Sequence, residues 1–147
     1  MERTIMLVED NPDDIVLAKR ALKKCNLADN AVVANDGIEA LEYLLGRGEN
    51  NCEEETKLPA VILMDLKMPR MDGIETLKKL RDNSRTAHLP VVILTSSDED
   101  RDIQQCYQLG ANSYLRKPVD FNKFVEVIQL LGIYWLTLNQ LPGAMGV

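Results

Sequence analysis

A doubly wound (βα)5 fold of the α/β class is predicted by three observations. Five short apolar runs rich in β-branched residues recur along the chain, segments of helical periodicity lie between them, and 147 residues match the ~150 typical of one domain. The runs are Thr4-Ile5-Met6-Leu7-Val8, Ala31-Val32-Val33-Ala34, Ala60-Val61-Ile62-Leu63-Met64, Val91-Val92-Ile93-Leu94 and Ser113-Tyr114-Leu115. Several lack polar alternation, as expected of parallel strands covered by helices on both faces. Right-handed crossovers would then carry the chain from strand to strand, with ligands gathering at the C-terminal ends of the strands.

The first helix is predicted to open at Asn11 as N-cap, with Pro12 at the first helical position and Asp13 and Asp14 favoured by the helix dipole. Ile15, Ala18, Leu22 and Cys25 form its inward stripe. The last helix repeats the pattern with Phe121, Phe124, Val125, Ile128 and Leu131. Residues 46–58, from Gly46 to Leu58, are polar and long for a helix-to-strand connection, so an acidic, mobile surface loop is expected there. The core should span about residues 3–133, followed by a tail at 134–147. From Ile128 to Leu141 the chain carries Leu130, Leu131, Ile133, Tyr134, Trp135, Leu136, Leu138 and Leu141, too many for one face to hide. The stretch falls short of the ~18 apolar residues of a membrane span. An apolar patch for self-association or partner docking is expected, the alternative being a tail folded back over its own core.

With 46% hydrophobic and 27% charged residues, the chain can bury a core without disulfides or a structural metal, so any metal would be functional. A net charge of −6 weakens attraction to nucleic acid and to anionic membranes, and neither is an expected partner. Cys25, Cys52 and Cys106 show neither zinc nor redox-dithiol spacing and read as free thiols of a reducing compartment. The apolar run Thr4–Val8 is too short for a signal-peptide core, so a cytoplasmic location is expected.

Parallel strands would bring Glu9 and Asp10, after the first, and Asp65, after the third, to one edge of the sheet. Repulsion among three carboxylates should raise at least one pKa unless a hard divalent cation takes the charge, and oxygen ligands with open water positions suit Mg²⁺. The fourth run ends at Thr95-Ser96-Ser97 and the fifth at Arg116-Lys117-Pro118, adding a hydroxyl and an ammonium. Together these groups suit a transferring phosphoryl group, with Asp65 as nucleophile. A cis bond before Pro118 would aim Lys117 inward. Gly73 reads as a requirement of backbone geometry, and His88 as a solvated residue without clustered ligands.

The chain resembles the receiver domains of two-component response regulators, of the chemotaxis-regulator type, over nearly its whole length. The resemblance rests on Val8-Glu9-Asp10-Asn11, the block Leu63-Met64-Asp65-Leu66-Lys67-Met68-Pro69-Arg70-Met71-Asp72-Gly73, Thr95-Ser96-Ser97, and Gly110-Ala111-Asn112-Ser113-Tyr114-Leu115-Arg116-Lys117-Pro118. It implies a flavodoxin-like five-stranded sheet of order 2-1-3-4-5. It further implies that Asp65 accepts a phosphoryl group from a histidine kinase. Glu9, Asp10, Asp65 and the backbone carbonyl of Lys67 would hold Mg²⁺, with Glu9 acting through water. Thr95 and Lys117 would bind phosphoryl oxygens, Thr95 and Tyr114 would form the switch, and Lys67 and Ser97 would tune hydrolysis. Asn11-Pro12-Asp13-Asp14, the long loop and Tyr134-Trp135-Leu136 look like single-domain regulators paired with phytochrome-type sensor kinases. That likeness implies a homodimer through the tail. Because the chain ends near the fifth helix, output is expected through a protein target or a histidine phosphotransfer protein. A phosphatase of the haloacid dehalogenase type would need a second Asp where Lys67 stands, and a cap domain. A pseudo-receiver that only binds partners would not need the complete set of Glu9, Asp10, Asp65, Thr95 and Lys117.

Overall fold

The computed structural model describes residues 3–46 and 58–142. Most of the predicted polar loop, with Cys52, and the last part of the tail lie outside these residues. The strands are β1 (Ile5–Val8), β2 (Ala31–Ala34), β3 (Val61–Met64), β4 (Val91–Thr95) and β5 (Ser113–Arg116). The helices are α1 (Pro12–Lys24), α2 (Gly37–Leu45), α3 (Gly73–Asp82), α4 (Asp100–Gln108) and α5 (Phe121–Ile133). All strand pairs are parallel and the order is β2-β1-β3-β4-β5, as the resemblance implied. Predicted and observed strands differ by single residues at Thr4, Ala60, Thr95 and Arg116.

β1, β3 and β4 are buried at every position, which is why their sequences show no polar alternation. Met6, Val8, Ile62, Met64, Val91 and Ile93 pack on the side of α2, α3 and α4. Ile5, Leu7, Val61, Leu63, Val92 and Leu94 face α1 and α5. Side chains that alternate across the pleat thus feed two cores, one on each face.

Asn11 caps α1 as expected, its side-chain oxygen accepting from the amides of Asp13 and Asp14 at 2.9 and 3.1 Å. Asp36, Asp72 and Asp120 cap α2, α3 and α5 in the same manner. Two expectations fail. No peptide bond among the described residues is cis, so the Lys117–Pro118 bond is trans; β5 itself carries Lys117 to the site, and its amide donates to the Thr95 carbonyl at 2.7 Å. Phe121 is 69% exposed because it occupies the first position of α5, past the end of the sheet, while Phe124 and Ile128 reach the core.

The tail divides between both readings of its sequence. After α5 the chain makes a wider turn over Tyr134–Leu138, closed by an i→i+5 bond from the Asn139 amide to the Tyr134 carbonyl at 2.7 Å. Leu136 is buried, and Trp135 and Leu141 pack against the α1–α5 core. Arg3 reaches across to donate to the Asn139 carbonyl. Leu130, Ile133, Tyr134 and Leu138 remain exposed on the outside.

Candidate functional site

Residues that follow β1, β3, β4 and β5, together with the start of α1, form a cleft of about 580 Å³ lined by Glu9, Asp10, Asp14, Asp65, Lys67, Ser96 and Lys117, among others. The register of the central strands explains the convergence. Val8 pairs with Met64, so the residues one step beyond, Glu9 and Asp65, emerge side by side, and the Asp65 amide donates to the Val8 carbonyl at 3.1 Å. Glu9, Asp10 and Asp65 each present a carboxylate oxygen within 4.8 Å of the others. Glu9 and Asp65 are buried and Asp10 is exposed.

Lys117 lies among these acids with its side chain 13% exposed. Its Nζ is 2.8 Å from Glu9 Oε1, 2.8 Å from Asp14 Oδ2 and 3.1 Å from Asp65 Oδ2. Burial alone would lower the ammonium pKa, but the carboxylates accepting its protons outweigh burial and raise it above the ordinary lysine value. Glu9 is pushed up to about 6, chiefly by burial and further by the negative charge of Asp65, although its hydrogen bond from Lys117 pulls the other way. Repulsion among the carboxylates, expected to raise one of them, contributes, but desolvation is the larger cause.

The remaining oxygen of Asp65, Oδ1, accepts from the backbone amides of Leu66 and Lys67 at 2.7 and 3.4 Å. That fixes the carboxylate at the strand end, with Oδ2 turned to Lys117. Gly73 protects this placement. A Cβ there would lie 2.4 Å from the Asp65 carbonyl oxygen, and the Gly73 amide donates to the Leu66 carbonyl at 2.9 Å, so α3 can begin directly against the strand end. Arg70, with a left-handed φ of 65°, turns the same loop back to Asp36, reaching Oδ2 through Nε at 2.6 Å.

Thr95 is wholly buried at the end of β4, and its Oγ1 accepts from the Ser97 amide at 3.4 Å. Tyr114 is half-buried on the α2–α4 core, and its hydroxyl donates to the Ser97 carbonyl at 2.9 Å. Lys67 is exposed at the rim. His88 is exposed, as expected. Glu9, Asp10, Asp65, Lys67 and Lys117 therefore share one cleft, while Thr95, Ser97 and Tyr114 form an adjoining corner.

Asp14 was missed as a site residue because two acids in a first helical turn fit the helix dipole. The signal was its phase: Asp14 stands one turn before buried Ala18 on the inward stripe, where a carboxylate needs a partner. Three clustered carboxylate oxygens form a hard, all-oxygen donor set that fits Mg²⁺ better than a thiolate- or imidazole-seeking metal. A divalent ion here would be held by Glu9, Asp10 and Asp65, and it would supply positive charge to anionic oxygens.

The family model of the response regulator receiver domain matches residues 5–129. The chain is 36% identical over 140 residues to the probable methanogenesis regulatory protein FilR2 of Methanothrix harundinacea, covering 95% of this chain and 87% of that one. To the response regulator Rcp1 of Synechocystis it is 32% identical over 142 residues, covering 97% and 95%. Rcp1 has been solved in a Mn²⁺-bound form, which aligns at 32% identity with a TM-score of 0.84 over 95% of this chain and 99% of that one. The phosphorylated cyanobacterial phytochrome response regulator RcpA aligns at 32% identity with a TM-score of 0.87 over 97% of this chain and 99% of that one. The bacteriophytochrome response regulator AtBRR is 47% identical, with a TM-score of 0.71 over 95% and 99%.

Proposed function

The chain belongs to the response regulator receiver family, and from that premise we propose that it accepts a phosphoryl group on Asp65 from a sensor histidine kinase in a Mg²⁺-dependent reaction. The modified receiver then signals to a protein partner or passes the phosphoryl group on, for example to a histidine phosphotransfer protein. The observation that carries this reading is Asp65 itself, backed by two amides on Oδ1 and facing Lys117 at 3.1 Å on Oδ2, with Glu9 and Asp10 beside it.

In the reaction an Asp65 oxygen attacks phosphorus, a P–O bond forms as the P–N bond of phosphohistidine breaks, and the released imidazole nitrogen takes a proton from solvent. Glu9, Asp10, Asp65 and the Lys67 carbonyl would hold Mg²⁺, which would supply positive charge to the phosphoryl oxygens. Lys117 binds one of those oxygens, giving up part of its contact with the carboxylates. Asp14 keeps the lysine in the cleft during the exchange. Thr95 turns its hydroxyl to the phosphoryl group, and Tyr114 registers that movement at the surface made by α4, β5 and α5. Lys67 and Ser97 stand where side chains control access of water.

The likeness to RcpA and AtBRR supports a phytochrome-type kinase as donor. The exposed strip Leu130, Ile133, Tyr134 and Leu138 supports a homodimer through the tail, in a cytoplasmic protein. No helix among the described residues is long and apolar enough to cross a membrane. The testing experiment is incubation with Mg²⁺ and acetyl phosphate, read by intact mass. Wild type should gain the mass of one phosphoryl group, lost in alkali and absent without Mg²⁺ or in Asp65→Asn. An adduct that survives in Asp65→Asn would overturn the assignment.

A further inference from the structure

Ser97 is bonded to several groups at once. Its carbonyl accepts from the Tyr114 hydroxyl at 2.9 Å, its amide faces Thr95 Oγ1 at 3.4 Å, and its own hydroxyl donates to Asp102 Oδ2 at 2.7 Å. Asp102 lies in the first turn of α4 and is 7% exposed. It stands one turn before Cys106, which is fully buried in the α2–α4 core. The carboxylate therefore points inward, in phase with the apolar face of its helix.

A buried carboxylate is costly unless hydrogen-bonded, and the Ser97 hydroxyl supplies such a bond to Asp102. Its charge is felt nearby: the Cys106 thiol is pushed up to about 11, first by burial and then by Asp102. The Ser97 hydroxyl also accepts weakly from the Glu99 amide at 3.4 Å, so the hydroxyl is held from both sides. With its own amide bonded to Thr95 and its hydroxyl bonded to Asp102 and to the Glu99 amide, Ser97 is held on both sides of its carbonyl, which stays aimed at Tyr114.

We propose that Asp102 is a positioning residue. By holding the Ser97 hydroxyl, it fixes the Ser97 carbonyl that receives Tyr114, and so biases the aromatic ring toward its inward seat on the core. This deepens the reading of Thr95 and Tyr114 as the switch and rests on it. The bistable element is the segment from Thr95 to α4, and Asp102 sets its resting position from the helix side, opposite the phosphoryl site. Because binding and switching are linked, a residue that favours the inward ring also favours phosphoryl binding at Asp65.

The test places a fluorinated tyrosine throughout the chain, assigns the Tyr114 resonance by its loss in Tyr114→Phe, and follows it in Asp102→Ala, Ser97→Ala and Asp102→Asn. Asp102→Ala and Ser97→Ala should both shift the resonance to a solvent-exposed value. Asp102→Asn, which can still accept from the serine hydroxyl, should keep it buried. Affinity for beryllofluoride with Mg²⁺ should fall roughly tenfold in the two alanine variants, within the range of ordinary coupling energies, and recover in Asp102→Asn. A buried Tyr114 resonance in folded Asp102→Ala overturns the proposal. Should Asp102→Ala fail to fold, Ser97→Ala removes the same contact from the other end and decides the matter in the same way. The fluorine signal needs neither metal nor phosphoryl group, so it stays informative even if Asp65 proves not to be the acceptor.

Discussion

The cleft at the strand ends and the outer face of α5 with its tail both break the usual partition of polar and apolar groups, in opposite directions. In the cleft, charge is taken out of water: Glu9, Asp65 and Lys117 are largely buried. On the outer face, apolar surface is left in water, with Leu130 at 68% and Leu138 at 64% exposure. Placement in the cleft is set residue by residue through backbone bonds and strand register, so Glu9, Asp65 and Lys117 each have partners that suffer when one is removed. The outer face is a sum of weakly coupled contacts with solvent. A single change should therefore be felt strongly in the first region and faintly in the second, although both are functional by our reading.

The largest effect should come from Lys117→Ala, which strands the carboxylates of Glu9, Asp14 and Asp65 together. Urea denaturation in a chelator at pH 8 should show a loss of about 3–5 kcal/mol, the usual cost of leaving buried charge uncompensated, partly regained at pH 5 as Glu9 takes up a proton. A loss below that of a surface substitution would erase the contrast between the regions. Next comes Gly73→Ala. The added methyl would press on the Asp65 carbonyl, so a cost of about 1–3 kcal/mol and slower labelling by acetyl phosphate are expected; unchanged stability would show that the strand end can yield.

Glu9 makes the third test. Its pKa of about 6 in the fold lies above the ordinary 4.5, so the folded protein binds that proton more tightly than the unfolded chain. In chelator, its contribution to stability should be complete below pH 4.5 and lost as pH rises through 6. Divalent metal, which needs the ionised form, should bind more tightly over the same rise, as titration calorimetry with Mg²⁺ at pH 5 and pH 8 would register. Equal affinities at the two pH values would remove Glu9 from the metal site. The smallest effect on stability belongs to Leu138→Ser, within about 0.5 kcal/mol, yet sedimentation should show weaker self-association. Trp135 is the wrong residue for that purpose because it packs on the α1–α5 core, and its substitution would confuse folding with assembly.

Much of this was legible in the sequence because parallel strands write themselves as apolar runs. Ala31–Ala34 was located to the residue, and the carboxylates and lysine that follow the runs had to meet at one edge. What escaped were acids sitting in phase with a helix's apolar stripe. Asp14 and Asp102 each stand one turn before a buried residue, Ala18 and Cys106; Asp14 reads as an ordinary first-turn acid, and nothing in the sequence singles out Asp102. Their partners lie in other segments, Lys117 for Asp14 and Ser97 for Asp102, and only the assembled fold sets those distances. Phe121 failed for the reverse reason: periodicity gives a direction around the helix axis but not whether core still exists at that height.

β5 carries both Tyr114 and, one step beyond its end, Lys117, and it is an edge strand of the sheet, bonded to β4 alone. A central strand is clamped by two ladders and resists displacement from either side. An edge strand is held by one, so it opens and tilts more readily. The sheet therefore places one of its two more compliant edges in the strand that touches both the cleft and the switch corner. The central pair that carries Glu9 and Asp65 serves as the rigid frame against which that strand can move.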